Sequence, residues 1–280
     1  MISDSLKAKL LDFCTDYDPH ERAIAAGVQG GHGRGKADQF SDIDMVFVFA
    51  KREDREGMLT NSVFFNNEKY DIRHLVVEGL NKMYGRTRYI YAHETYVLYD
   101  KTGEFGKIIG NAHMTEDERC KIIVYVLKKL EKRGITYSGY SKWRGLHKKM
   151  YWLARGDILS AHMQLTEGIE LIATLIFALN NAFLPSPKCR YNILQGLEWL
   201  PKNFTDLFVE SMNVNADVTS FEKRQTALCQ LLKSCVDYAE KTLTLPDDID
   251  ARYKSWFHLD TDNPEINKEV TNGLDFLIQM

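Results

Sequence analysis

Residues 29–36 read Gln-Gly-Gly-His-Gly-Arg-Gly-Lys, and residues 41–44 read Ser-Asp-Ile-Asp. Two short apolar runs, 23–28 and 45–50, flank this stretch and predict buried strands. A glycine-rich turn allows backbone N–H groups to approach a phosphate closely. The stretch therefore predicts a strand, a glycine turn, and a second strand that begins with two carboxylates.

The two carboxylates, Asp42 and Asp44, stand at positions i and i+2 of the second strand. Their side chains therefore share one face, with Cα atoms about 6–7 Å apart. Like charges on one face repel each other, and a divalent cation removes that cost. Mg²⁺ takes carboxylate oxygens and keeps phosphate oxygens and water as its other ligands. The pair thus predicts a Mg²⁺ site beside a phosphate-bearing molecule.

Two other interpretations of this stretch remain to be weighed. A P-loop has the spacing of Gly30, Gly35 and Lys36, but Ala37 follows where a Ser or Thr hydroxyl must reach Mg²⁺. Five residues between Lys36 and Asp42 are also too few for the helix that follows a P-loop. A purely structural interpretation is a glycine turn followed by surface acids at a strand end. The glycines, the arginine, the Asp pair and the apolar run occur together in register, which favours a catalytic site.

The same residues resemble the signature of the polymerase-beta-like nucleotidyltransferase superfamily, in which Gly-Ser or Gly-Gly, a spacer and Asp-x-Asp precede an apolar strand. Ten residues separate Gly31 from Asp42, within the usual spacer of that family. The resemblance implies a two-metal Mg²⁺ site, a nucleoside triphosphate as co-substrate, and catalytic, metal-binding roles for Asp42 and Asp44. It also implies that the nucleotide is bound by Gly30, Gly31, Arg34, Lys36 and Ser41.

One position departs from that signature, and one carboxylate remains to be found. Gly31 has no hydroxyl to offer a phosphate, so the triphosphate would rely on backbone N–H groups and on Arg34 or Lys36. The family uses a third carboxylate on a later strand, and the best match is Asp71, as a catalytic metal ligand or as a general base. An exposed Asp–Arg pair on a strand is the structural alternative. Weaker matches are Glu68, Glu78 and Glu94.

The hydrophobic period changes near residue 110. Before it, the sequence predicts an opening helix at 4–17 and short strands at 23–28, 45–50, 62–65, 70–77 and 96–99. After it, Thr115 and Glu118 form a capping box, and further helices are predicted at 140–154, 157–183, 188–199 and 217–243. The predicted fold class is α+β, with a small mixed-sheet catalytic domain at 1–110 and an all-helical acceptor-binding domain at 111–280.

The charge distribution suggests different partners for different parts of the chain. The net charge is −3, which disfavours a basic nucleic-acid binder. Residues 114–157 hold 11 basic and 5 acidic side chains, which are either polar helix faces or support for a triphosphate, and which keep tRNA open as a partner. Residues 158–280 hold 10 basic and 17 acidic side chains. Glu167 and Glu170 are accordingly either a solvated helix face or a wall for a cationic acceptor.

Cysteine usage and hydropathy predict a cytoplasmic protein. The five cysteines form no C-x-x-C pair, which is typical of reduced thiols. No apolar run approaches the roughly 20 residues that span a bilayer, and no signal peptide precedes the first helix, so we expect no membrane partner. The sequence leaves the oligomeric state open, a homodimer included.

Later motifs are similar to those of the small-molecule nucleotidyltransferases that modify aminoglycosides and lincosamides. They are an Asp-Lys-Thr-Gly turn at 100–103, Arg-Gly-Asp at 155–157 and Leu-Pro-Ser-Pro-Lys at 184–188. The resemblance implies transfer of a nucleoside monophosphate to a hydroxyl of a small molecule, with AMP as the expected group. The alternatives are nucleotidylation of tRNA or protein, as in toxin-type relatives, and a catalytically silent nucleotide-binding protein.

Overall fold

The computed structural model describes residues 2–59, 61–82, 94–111, 113–135, 151–185, 187 and 190–243. The chain forms two compact units, Met1–His113 and Met114–Met280. Within the described residues, no helix combines the length and the apolar character that crossing a membrane requires.

A five-stranded mixed sheet forms the centre of the first unit. Its strands are β1 (Ala25–Gln29), β2 (Ile43–Phe49), β3 (Asn61–Phe65), β4 (Glu68–Val76) and β5 (Tyr96–Asp100). They lie in the order β3-β4-β2-β1-β5. β2 and β4 are parallel, whereas the other neighbouring strands are antiparallel. The hairpin from β3 to β4 therefore returns the chain so that β4 can lie beside β2.

Helices cover both faces of this sheet. They are α1 (Asp4–Tyr17), the single turn α2 (Gly30–Gly33), α3 (Val77–Lys82) and α4 (Glu104–Gly110), with a 3₁₀ turn at Glu53–Arg55. α1 packs on one face, where the Phe13 ring stacks on Tyr70 at 4.0 Å between centroids. On the other face, Leu80 of α3 and Phe105 of α4 pack against Val46. Burial of these apolar side chains holds the helices on the sheet.

The Asp100 carboxylate begins α4. It accepts hydrogen bonds from the backbone N–H groups of Gly103 at 2.9 Å and Gly106 at 2.8 Å. These bonds satisfy donors that the first turn of a helix leaves without partners. The Asp-Lys-Thr-Gly turn that stood out in the sequence is thus a helix start, which the hydrophobic pattern alone did not predict.

The described part of the second unit is helical. Its helices are α5 (Glu116–Lys132), α6 (Tyr151–Ala154), α7 (Ile158–Leu179), α8 (Arg190–Gln195), α9 (Phe204–Met212) and α10 (Val218–Thr242). The capping box at Thr115 and Glu118 is confirmed, and Asp157 caps α7 through the Ser160 N–H. Most of the helix predicted at 140–154 lies outside the described residues. The predicted α+β fold class, with a mixed sheet followed by helices, is confirmed.

Candidate active site

Three aspartates meet at the end of the sheet where β2 begins. The parallel register of β2 and β4 places Asp44 directly beside Asp71. Asp42 lies two residues before Asp44, and one carboxylate oxygen from each of the three lies within 4.8 Å of the others. Asp42 is exposed, and the other two are half-buried. Three negative charges this close repel one another, so the group is a candidate site for a divalent cation.

The glycine turn lies against this cluster because Gly30 carries no side chain. Gly30 has φ +65°, and a Cβ placed on it would lie 2.9 Å from the Oδ2 atom of Asp44. A Cβ on Gly33 would lie 2.0 Å from the carbonyl oxygen of Glu94 and 2.5 Å from that of Val28. Any larger residue at Gly33 would push the backbone apart. The predicted glycine turn is therefore a one-turn helix, α2, packed between β1 and residue 94.

Two neighbours hold the Asp71 carboxylate. The Ser62 hydroxyl on β3 donates a hydrogen bond to Oδ1. The Lys69 ammonium lies 2.9 Å from Oδ1 and 3.0 Å from Oδ2. The Ser62 hydrogen bond, and after it Lys69, lowers the pKa of Asp71 below its usual range. A carboxylate with a lowered pKa is a good cation ligand and a weak base.

Ser41 holds the loop between the glycine turn and β2. Its hydroxyl donates to the Asp38 carboxylate at 3.0 Å and accepts the Asp38 N–H at 3.0 Å. Asp38 also accepts the Phe40 N–H, and this bond, followed by that from Ser41, lowers the pKa of Asp38. A Cβ on Gly31 would lie 3.1 Å from the Ser41 hydroxyl. The structure therefore places Ser41 against the glycine turn, with its hydroxyl engaged within the loop.

Arg34 and Lys36 follow α2 on the same loop. The Arg34 guanidinium lies 3.2 Å from a carboxylate oxygen of Glu94, and both side chains are mostly buried. Lys36 is exposed, and its backbone N–H donates to the Gly31 carbonyl at 2.8 Å. Glu94, which the sequence offered as a weak third carboxylate, instead pairs with the arginine that was expected to meet a triphosphate.

Sequence reasoning missed Gln29, Ser62 and Lys69. Gln29 is buried opposite Asp44 in the β1–β2 register, and its amide donates to the Thr95 hydroxyl at 2.9 Å. The sequence did contain a signal for Ser62 and Lys69. A hairpin that turns at residues 66–67 places Ser62 opposite Asp71, and Lys69 shares a strand face with Asp71 because it lies two residues earlier.

Several charged side chains in the described part of the helical unit form ion pairs. Arg133 contacts Glu167 with Nε at 2.6 Å, and Arg190 contacts Glu170. Lys128 bonds Glu131 at 2.8 Å. Glu167 and Glu170 are thus not a bare acidic wall, since an arginine binds each of them. The side chains of Lys132, Arg144, Lys148 and Lys149 lie outside the described residues.

Comparison with known proteins identifies the fold. No protein-family model matches the sequence, and a search of curated proteins finds no match. The structure is similar to that of a nucleotidyltransferase-like protein from Exiguobacterium sibiricum, with 10% sequence identity and a TM-score of 0.50. The match covers 98% of this chain and 91% of that one. The chain therefore has a nucleotidyltransferase-like fold, while this degree of identity says nothing about substrate.

Proposed function

We propose that the protein is a Mg²⁺-dependent nucleotidyltransferase that moves a nucleoside monophosphate from a nucleoside triphosphate to a hydroxyl of a small molecule, releasing pyrophosphate. The expected nucleoside monophosphate is AMP. The observation that carries this proposal is the meeting of Asp42, Asp44 and Asp71 within 4.8 Å beside a glycine turn, in a nucleotidyltransferase-like fold.

The three aspartates and the two neighbours of Asp71 have different roles in this proposal. Asp42, Asp44 and Asp71 would hold Mg²⁺, their carboxylate oxygens being the ligands that this ion prefers. Bound there, Mg²⁺ supplies neutralisation of the charge on the phosphates and on departing pyrophosphate. Ser62 and Lys69 keep the Asp71 carboxylate ionised and oriented, which favours a ligand role over that of a base.

The nucleotide would lie along the glycine turn. Gly30 and Gly31 leave the backbone open to a phosphate, and Ser41 stiffens the loop that follows. Lys36 is exposed on that loop and would attract the triphosphate by its charge. Arg34 would reach a phosphate only by sharing or leaving its contact with Glu94.

The acceptor class rests on resemblance, with aminoglycoside- and lincosamide-like compounds as the first choice. One of the two interpretations of Glu167 and Glu170 was a wall for a positively charged acceptor, but each of them binds an arginine. We therefore base the acceptor panel on hydroxyl groups rather than on charge.

The test follows labelled phosphate. The full-length protein is incubated with Mg²⁺ and ATP or GTP labelled at the α-phosphate, against aminoglycosides, lincosamides, total tRNA and the protein alone. Label on a small molecule supports the proposal. Label only on tRNA or on protein would replace the acceptor class, and label on nothing would favour a silent nucleotide-binding protein.

Variants locate the reaction. Loss of groups that merely support a metal ligand costs 10- to 100-fold, so Asp42→Asn and Asp44→Asn should each lose more than about 100-fold in turnover. Asp16→Asn is the matched control, since Asp16 is an exposed acid on α1, which covers the other sheet face. Turnover retained in Asp42→Asn would rule out this site as the catalytic centre.

A further inference from the structure

The helical unit contains a cavity that the proposed reaction does not use. It has a volume of about 440 Å³ and lies between α5, α7 and the segment that leads into α8. Tyr125, Lys129 and Arg133 contribute from the α5 side, Glu167 and Glu170 from α7, and Arg190 from the start of α8. The volume falls within the range of small-molecule sites.

A second cavity, of about 400 Å³, adjoins the first. Both are lined by Glu170, Pro187 and Arg190, so the ion pair between Glu170 and Arg190 stands at their junction. The second cavity is otherwise almost entirely apolar, with walls that include Leu194, Phe208, Val209 and Met212. Val209 and Met212 are each 57% exposed, which is high for large apolar side chains.

The charges around the first cavity favour an anion. Three cationic side chains face two carboxylates there, which leaves a formal charge of about +1. The Lys129 ammonium lies 5.0 Å above the Tyr125 ring, so an aromatic surface also lies beside this charge.

Arg190 is the group best placed to exchange partners. Its side chain is only 12% exposed, and its buried Nε–H has no acceptor among the described residues. An unsatisfied buried donor is costly, so an incoming anionic oxygen would gain by bonding it. Glu170, in contrast, is 57% exposed. This carboxylate can turn into water without burying its own charge, while an incoming anion keeps the buried Arg190 charge paired.

We propose that the two cavities form one binding site for a small amphipathic anion. Its carboxylate or phosphate head group replaces Glu170 on Arg190, beside Arg133 and Lys129. Its apolar chain occupies the cavity between Leu194, Phe208 and Val209. The site is independent of the proposed transfer reaction, so it is tested without nucleotide or Mg²⁺.

The first experiment compares head groups on one chain length. Decanoate, decyl phosphate, decanol and decyltrimethylammonium are titrated calorimetrically into the full-length protein, below their micelle concentrations. We expect the two anions to bind at least about tenfold more tightly than decanol, because a charge-assisted hydrogen bond is lost in the alcohol. Decanoate against decyl phosphate distinguishes the two head groups. Equal binding of decanol, or tighter binding of the cation, would overturn the proposal.

The second experiment uses variants with opposite expected signs. Arg190→Gln should weaken decanoate binding about tenfold. Glu170→Gln should tighten it about fivefold, because it removes the competitor for the guanidinium. Loss of folding cannot produce tighter binding, and Arg52→Gln, an exposed arginine of the other unit, is the control for a lost surface charge. An unchanged affinity in Glu170→Gln contradicts the exchange.

A matched pair of variants tests the apolar cavity of the proposed site. Val209 lines the cavity and is 57% exposed, whereas Val214 lies outside it and is 51% exposed. Val209→Gln should weaken decanoate binding severalfold, and Val214→Gln should leave it unchanged. Equal effects of the two substitutions would place the chain elsewhere.

Discussion

The sheet unit gathers Asp42, Asp44 and Asp71 at the end of the sheet, where water reaches them, whereas the helical unit buries Arg224 at 1% exposure. The guanidinium of Arg224 makes hydrogen bonds with groups on two other helices. Its Nε bonds the Ser211 carbonyl at 2.7 Å, and Nη2 bonds the Thr166 hydroxyl at 3.0 Å. Its Nη1 lies 2.8 Å from Nδ1 of His162 and 3.2 Å from the carbonyl of the same residue.

The comparison sets a charge whose partners lie within the folded chain against a group of like charges brought together. Arg224 sits on α10 and joins it to α7 and α9, and every bond it makes is complete in the folded chain. The three carboxylates carry one sign, and Lys69 pairs with Asp71. Removing Arg224 should therefore affect stability first, and removing Asp42 should affect ligand binding first.

The largest effect on stability is expected from Arg224→Ala. This change leaves a cavity and removes the donor from the buried acceptors Ser211, His162 and Thr166. Each buried polar group without a partner costs about 1–3 kcal/mol, so we expect a loss of about 3 kcal/mol or more in the free energy of unfolding. Urea denaturation of the full chain measures it.

Arg224→Met serves as the control for that variant, because it keeps most of the apolar stem while removing the donors. If packing alone mattered, Arg224→Met would match the wild type. A loss below about 1 kcal/mol in Arg224→Ala would show that the hydrogen bonds of the guanidinium contribute little.

The next largest effect on stability is expected from Mg²⁺ binding at Asp42, Asp44 and Asp71. A ligand at 100 times its Kd stabilises the folded state by about 2.7 kcal/mol, which corresponds to a rise in Tm of about 5 °C. We expect this rise in the wild type and its loss in Asp42→Asn. Thermal melts with Mg²⁺ and with EDTA measure both.

The same melts give an independent reading in the absence of metal. Without Mg²⁺, Asp42→Asn should be at least as stable as the wild type, because one of three mutually repelling charges is gone. Arg224→Met should keep the Mg²⁺-dependent rise despite its lower Tm. A rise that survives in Asp42→Asn would place the cation elsewhere.

Local patterns were enough to predict most elements of the sheet unit. The predicted strands at 62–65 and 70–77 are confirmed by β3 and β4. Ile72 and Leu75 of β4 pack on opposite faces of the sheet, as the alternation of a strand requires. The Asp pair was predicted to begin the second strand, with the apolar run at 45–50 after it. Asp42 instead lies just before that strand. β2 starts at Ile43 and includes Asp44.

The rest of the site depends on pairings between distant segments. Asp44 meets Asp71 only because β4 crosses to lie parallel to β2, and no local pattern sets that register. The resemblance to a family supplied that pairing. Glu94 pairs with Arg34, which lies 60 positions earlier, and the residues around neither of them form a pattern that predicts this pair. α9 was missed for a related reason: Asn203 precedes it in a left-handed conformation without a side-chain cap bond.

The smallest expected effect concerns a half-buried titratable group of the sheet unit, His74. His74 is half-buried against Phe49, and its Nε2 lies 2.7 Å from the Tyr17 hydroxyl. That hydroxyl donates to the Leu59 carbonyl, so Nε2 of His74 is the donor to Tyr17. Burial, and after it the charges of Arg55 and Arg22, lowers the pKa of His74 from its ordinary 6.5. Unlike Arg224, this base can avoid its charge by staying neutral.

The pH dependence follows from that sign. Well above pH 6.5, His74 is neutral in both the folded and the unfolded state, and stability is at its full value. As the pH falls below 6.5, the unfolded chain takes up the proton before the folded one does, so the free energy of unfolding decreases until the pH passes the lowered pKa. His74→Gln keeps a donor for Tyr17 and should reduce this slope between pH 6.5 and 5, measured by urea denaturation at several pH values. If both proteins lose stability equally over that range, His74 is not held neutral by the fold, and the contrast with Arg224 would not extend to the sheet unit.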